Sequence, residues 1–214
     1  MTRKFNWPRA ILAFLIASFL FSFGLLLGYT AKGITQSATL NLQEITRNEI
    51  ISLETIFLLD KDFPCNSETL RITSNKLENL GELLTALEQK KGKKDREVLE
   101  LKKIYTILEI RHYLLMRERK DKCGQDHSFF FYLYSNAKEC YTQTKESSTI
   151  LTYLRNKHDF VRVYSFDMDL DSDITRFLKE KYRAHECVTI VLDGEKVGFT
   201  PRNAEELERH LFNK

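Results

Sequence analysis

Residues Ser128–Thr152 read SFFFYLYSNAKECYTQTKESSTILT, and the parsing of this stretch decides the fold. It opens on an uncharged run rich in the aromatic side chains that favour strands. Ser135-Asn136 then supplies a polar break, and Cys140 opens a helical pattern. A buried strand feeding a loop whose cysteine stands at a helix N-terminus is a common housing for thiol chemistry. The positive end of the helix dipole lowers a thiol's pKa there.

Downstream, the pattern continues as strand and helix in alternation. The strand Ser128–Ser135 and the helix Cys140–Lys157 are followed by a strand Phe160–Phe166, a helix Ser172–Tyr182 and a strand Cys187–Leu192. Asp193-Gly194 lies between two apolar runs, a strong hairpin signal, and leads to a strand Lys196–Thr200. Asn203 with Glu206 three residues on resembles a capping box for a last helix ending at Phe212. The order predicts an α/β domain over 127–214, a mixed sheet with helices on its faces.

Upstream, the chain is helical in character. Thr39–Lys61 carries Leu42, Ile45, Leu53, Ile56 and Phe57 on an imperfect apolar face, and Phe63-Pro64 stops it. Leu70, Leu77, Leu80, Leu84 and Leu87 predict a helix over Ser67–Lys90. After a polar turn, Asp95 is a good N-cap for a third helix. Its residues Val98, Leu101, Tyr105, Leu108, His112 and Leu115 recur in steps of three and four. A short turn between helices of similar length makes an antiparallel hairpin, so the segment 39–123 reads as a helical stalk. Cys65 and Cys123 then fall together at its open end, either as two buried thiols or as a disulfide. The disulfide would close a loop of about 59 residues, contributing about 4 kcal/mol in the chain-entropy model. His112 lies on the core stripe, where a lone histidine is most often a packed, hydrogen-bonded side chain.

Ala10–Tyr29 is an uncharged run of about 20 residues, the length of one bilayer-crossing helix. A cleaved signal peptide has a shorter apolar core and a small-x-small site, which this run lacks. The expectation is therefore an uncleaved anchor over 10–30 behind a basic segment 1–9. Arg3, Lys4 and Arg9 precede the run, and only Lys32 follows before Arg47. The positive-inside bias then puts the N-terminus in the cytoplasm and the C-terminal domain outside a single-pass cell membrane anchor. Gly24 and Gly28 form a GxxxG pair that would permit close approach of a second copy.

With 33 basic and 30 acidic residues interleaved, the net charge of +3 carries no basic block of the kind that reads nucleic acid. Four cysteines, Cys65, Cys123, Cys140 and Cys187, allow two disulfides in three pairings, and none has zinc-knuckle spacing. No metal or cofactor is expected. Asp167, Asp169, Asp171 and Asp173 resemble part of a calcium loop but lack its central glycine and terminal glutamate. A solvated loop capping the next helix accounts for them. His127, His158, His185 and His210 show no ligand spacing, and Ser147-Ser148-Thr149 has no accompanying base.

The element order from Ser128 to Phe212, with the residues at its corners, resembles the thioredoxin-like superfamily. In that family a strand leads to Cys-x-x-Cys at a helix start, and a cis-proline opens the third strand. The whole layout is similar to membrane-anchored thioredoxin-fold proteins of small-genome archaea, which place a helical hairpin bounded by two cysteines before this domain. The matching positions here are Ala137-Lys138-Glu139-Cys140 and Cys187-Val188-Thr189. Ala137 stands where the family's attacking thiolate would be, and a methyl group cannot open a substrate disulfide. Cys140 matches the more buried, resolving cysteine. Val188 replaces the proline, and a cis bond before a non-proline residue costs about 3–4 kcal/mol, so a trans loop is expected.

The resemblance also places Cys187 beside Cys140. The two then form a structural disulfide, a noncontiguous redox pair or two free thiols. The resemblance implies an extracytoplasmic, redox-inactive binding or scaffolding module, with a partner among envelope proteins or a second copy of itself. Two alternatives stand beside it: a thiol-disulfide oxidoreductase or isomerase using Cys140 and Cys187, and a structural coiled-coil envelope component.

Overall fold

The computed structural model describes residues 7–60, 65–198 and 200–212, and leaves out the side chains of 9–10, 27–46 and 49. The chain divides into two compact units, Met1–Ser52 and Leu53–Lys214.

The first helix, α1, runs Trp7–Asp60 without a break. The expected segment 10–30 and the described part of 39–61, as far as Asp60, are therefore parts of one helix. The linking residues Ala31–Ala38 hold a single glycine and no proline, too little to interrupt the hydrogen-bond ladder. In the first unit the large apolar side chains from Ile11 to Leu26, among them Phe14, Phe19 and Phe21, are exposed. Among the described residues no helix is long and apolar enough to cross a membrane. The described part of the apolar run, 11–26, is shorter than the roughly 20 residues that a bilayer core requires. Gly28, Leu42, Ile45, Phe63 and Pro64, singled out above, lie outside the described side chains.

In the second unit, α2 (Ser67–Lys91) and α3 (Arg96–Cys123) form the antiparallel hairpin. Asn66 caps α2 by accepting from the Glu68 N–H, and Asp95 caps α3 by accepting from those of Glu97 and Val98. Gly92, at φ 89°, makes the turn between them. Cys65 and Cys123 are bonded at the open end, their Cα atoms 5.7 Å apart.

The sheet follows as β1 (Ser128–Tyr134), β2 (Val161–Asp167), β3 (Val188–Leu192) and β4 (Glu195–Gly198), in the order β2-β1-β3-β4. β1 pairs parallel with β2 and antiparallel with β3, which pairs antiparallel with β4. The helices between and after the strands are α4 (Tyr141–Lys157), α5 (Asp173–Tyr182) and α6 (Ala204–Phe212). Asp193 and Gly194, both at positive φ, turn the β3–β4 hairpin. The reciprocal half of the expected capping box is displaced by one residue. Asn203 accepts from the Glu206 N–H, and the Glu206 carboxylate returns to the N–H of Arg202.

β1 is the central strand, and its continuous apolar run reflects burial on both faces. Phe129, Phe131 and Leu133 pack with Tyr164, Phe166, Leu178 and Tyr182 on one face. Phe130 and Tyr132 pack with Leu151, Leu154, Ile190, Leu207 and Leu211 on the other. Helices α4 and α6 cover the second face. The first is covered by α5 together with α3, which contributes Met116, Ile110 and Tyr113. The hairpin is thus part of the wall of the α/β core and does not stand apart as a stalk.

Candidate functional site

The loop between β1 and α4 is built from Ser135, Asn136 and Ala137, then a 3-10 turn, Lys138–Cys140, that runs into α4. Cys140 ends this turn and is bonded to Cys187, the residue before β3, with Cα atoms 5.1 Å apart. Cys140 is buried and Cys187 half-buried. Ala137 sits at the N-cap of the 3-10 turn, where its methyl group offers no cap hydrogen bond. Val188 is the first residue of β3, fully buried against the core under α4 and α6 and paired with Tyr134. Among the described residues no peptide bond is cis.

Two carboxylates from the end of β2 lock the loop. Asp169 accepts from the Ser135 hydroxyl at 2.9 Å and from the Asn136 N–H at 2.6 Å. Asp167, which is buried, accepts from the Asn136 side-chain amide at 2.7 Å and from the Lys102 ammonium at 2.9 Å. Lys102, itself buried on α3, also pairs with Glu88 of α2. Burial works against its charge, yet the carboxylates of Glu88 and Asp167 hold its ammonium above the ordinary lysine range. Lys93 donates to the side-chain amide oxygen of Asn136 at 2.6 Å. The Ala137 N–H donates to the Ser135 hydroxyl oxygen, and the Ser135 N–H to the Cys187 carbonyl. Thr144, one turn into α4, donates to the Ser135 carbonyl.

These contacts divide the four aspartates that the sequence shows as a series. Asp167 and Asp169 serve the loop; Asp171 and Asp173 are exposed, paired with Arg176. The cap of α5 is Ser172, which accepts from the Thr175 N–H. Among the described residues no group of three or more His, Cys, Asp or Glu side chains is placed to hold a metal ion.

In thiol exchange a thiolate must attack a disulfide sulfur. Cys140–Cys187 can be attacked, but all four cysteines are bonded and the chain offers no free thiolate of its own. The Ser135 hydroxyl is committed to the loop, donating to the Asp169 carboxylate and accepting from the Ala137 N–H.

The sequence reading passed over Lys102, Asn136 and Glu109. A signal for the first and last existed. Lys102, Thr106, Glu109, Tyr113, Met116 and Lys120 recur in steps of four and three, a second stripe on α3 parallel to the apolar one. Because it is mostly polar, hydrophobic periodicity does not register it. His112, on the apolar stripe, is bound by Ser74 at 3.0 Å and Tyr164 at 2.9 Å, and burial holds its pKa down to about 4. No protein-family model matches the chain, and no curated protein matches it.

Proposed function

We propose that the chain is a membrane-tethered, outward-facing thioredoxin-like protein that works by binding and has no thiol-disulfide exchange activity of its own. The observation that carries this reading is the Cys140–Cys187 disulfide beside Ala137, a closed site with no attacking sulfur. Sheet order supports the fold half of the reading. A central strand with a parallel neighbour on one side and an antiparallel one on the other, then a hairpin and a last helix, is the thioredoxin arrangement. Two disulfides accord with an oxidising compartment. A helix apolar all round from Ile11 to Leu26, preceded by Arg3 and Arg9, accords with a membrane anchor whose N-terminus is cytoplasmic.

The experiment is thiol mapping of the full chain without reductant, followed by turnover assays. The reading expects no alkylated cysteine, both linked peptides intact in millimolar glutathione, and no reduction of insulin disulfides. Partial exposure of Cys187 favours the second reading, an oxidoreductase that takes electrons from a partner. A mixed disulfide trapped on Cys140 or Cys187 during turnover would establish that reading and end the first. Resistance of the chain to carbonate extraction from membranes tests the anchor separately.

A further inference from the structure

Beside β2, an edge strand of the sheet, α2, α3 and the end of α4 enclose an open groove of about 990 Å³. Glu109 of α3 lines it and is almost fully buried. One carboxyl oxygen accepts from the Ser165 N–H at 3.0 Å; the other, Oε2, is buried with no hydrogen-bond partner. A buried polar atom left unpaired costs about 1–3 kcal/mol and is rare in folded proteins.

The other charged and polar groups near the groove floor have partners within the protein. Lys102 is held between Glu88 and Asp167. His112 is held by Ser74 and Tyr164. Arg162 donates to the carbonyls of Asp159 and Val161. Among the described residues that line the groove, Glu109 is the one with a buried side-chain oxygen left without a hydrogen-bond partner, and burial raises its pKa from 4.5 to about 8. The walls carry tyrosine rings at positions 105 and 134, and the α2 lip is acidic through the exposed Glu78 and Glu82. Arg155, exposed on the opposite wall, is the cation at the mouth that opposes this bias.

We propose that this groove binds a small organic amine, whose ammonium group hydrogen-bonds to Glu109 Oε2 and lies against the tyrosine rings. An ammonium donor satisfies the orphaned oxygen, and aromatic faces attract a desolvated cation. Because the amine pairs with the carboxylate, Glu109 gives its proton to solvent on binding. Glu109 hydrogen-bonds to Ser165 rather than to the Cys140–Cys187 loop, although the groove shares Lys102 and Asp167 with that loop, and failure of the amine proposal leaves the function proposed above untouched.

The test is calorimetric titration of the full-length chain with n-butylammonium chloride at pH 7, in two buffers of different ionisation enthalpy. Saturable binding with release of close to one proton is expected. Sodium butyrate, the anionic probe of equal length, should not bind. Glu109→Gln, which keeps the acceptor for Ser165, should weaken amine binding tenfold or more and abolish proton release. Absence of saturable amine binding, binding without proton release, or equal binding of butyrate would each overturn the proposal. If Glu109→Gln does not fold, the carboxyl ¹³C resonance of Glu109 in the wild-type chain replaces it. That resonance must move from its protonated to its ionised position as amine is added, and an unmoved resonance rejects the site.

Discussion

Glu109 and His112 lie one turn apart on α3 and titrate in opposite senses. Burial raises Glu109 from 4.5 to about 8 and lowers His112 from 6.5 to about 4. Between pH 4.5 and 8 the folded chain holds a proton on Glu109 that the unfolded chain has lost. Stability from this group is complete below 4.5 and falls as pH rises, by up to about 1.4 kcal/mol per pH unit. His112 acts the other way. It stays neutral in the fold while the unfolded histidine takes up a proton, so its contribution is present above 6.5 and lost as pH falls toward 4. The two slopes oppose each other between 4.5 and 6.5, and above 6.5 Glu109 acts alone. Urea denaturation of the wild-type chain should therefore show stability falling from pH 6.5 to 8. Glu109→Gln should flatten that limb and uncover a rise from pH 4 to 6.5. Parallel pH profiles for the two proteins would mean that Glu109 does not hold its proton in the fold.

At the scale of elements, the hairpin is joined to the sheet by a buried ion pair and closed on itself by a disulfide. Lys102 of α3 reaches Asp167 at the end of β2, and both are buried. Asp167→Ala leaves that ammonium with Glu88 alone and strips Asn136 of its acceptor, and breaking a buried pair in this way costs about 3–5 kcal/mol. The loss should appear in thermal denaturation, with a mobile Ser135–Ala137 loop visible in hydrogen exchange. A ΔΔG under about 1 kcal/mol, the range of an exposed pair, would show that water reaches the cluster. Cys65–Cys123 ties the hairpin's open end across a separation of 58 residues. Replacing both cysteines by serine should destabilise the chain by about 4 kcal/mol on the chain-entropy account.

The hairpin, with the cap of α3, its turn and the position of its two cysteines, was legible from leucine spacing, Asp95 and the polar turn at Gly92; the Asn66 cap of α2 was not singled out. The strands and helices after Ser128 were legible to within a residue or two, because apolar runs and turn residues mark them. The face that α3 presents to the sheet was not. It is made of Lys102, Thr106, Glu109 and Met116, and a buried polar stripe looks like a solvated one until its partners are known. The loop was half legible: Ala137 and Cys140 could be singled out, but its two carboxylates come from the end of β2, more than 30 residues away.

For the whole molecule, the boundary of independent folding is the point on which sequence and structure differ most. Composition and element order separate 39–123 from 127–214, whereas Leu53–Lys214 pack as one unit. In that unit α3 and α5 share one face of the sheet, and Met116 is fully buried there with Phe129, Phe131 and Tyr164. A fragment 127–214 would lose the α3 cover and present this aromatic face to water, a patch of the kind that drives association. It should be aggregation-prone or bind a hydrophobic dye, without a cooperative melt. A fragment 66–214 restores α2 and α3 but omits Asp60 and Leu53, and with Cys65 it also loses the Cys65–Cys123 disulfide. Arg119, with no exposed surface, donates to Asp60 at 3.0 Å and to the Asn66 carbonyl at 2.7 Å, and Leu53 is fully buried. That fragment leaves a buried guanidinium without its carboxylate, at a cost of about 3–5 kcal/mol. A fragment 53–214 keeps every one of these contacts and should melt in a single transition. The order of stability expected from urea titration is 53–214, then 66–214, then 127–214. A cooperative, monomeric 127–214 would return the hairpin to the role of a detachable stalk.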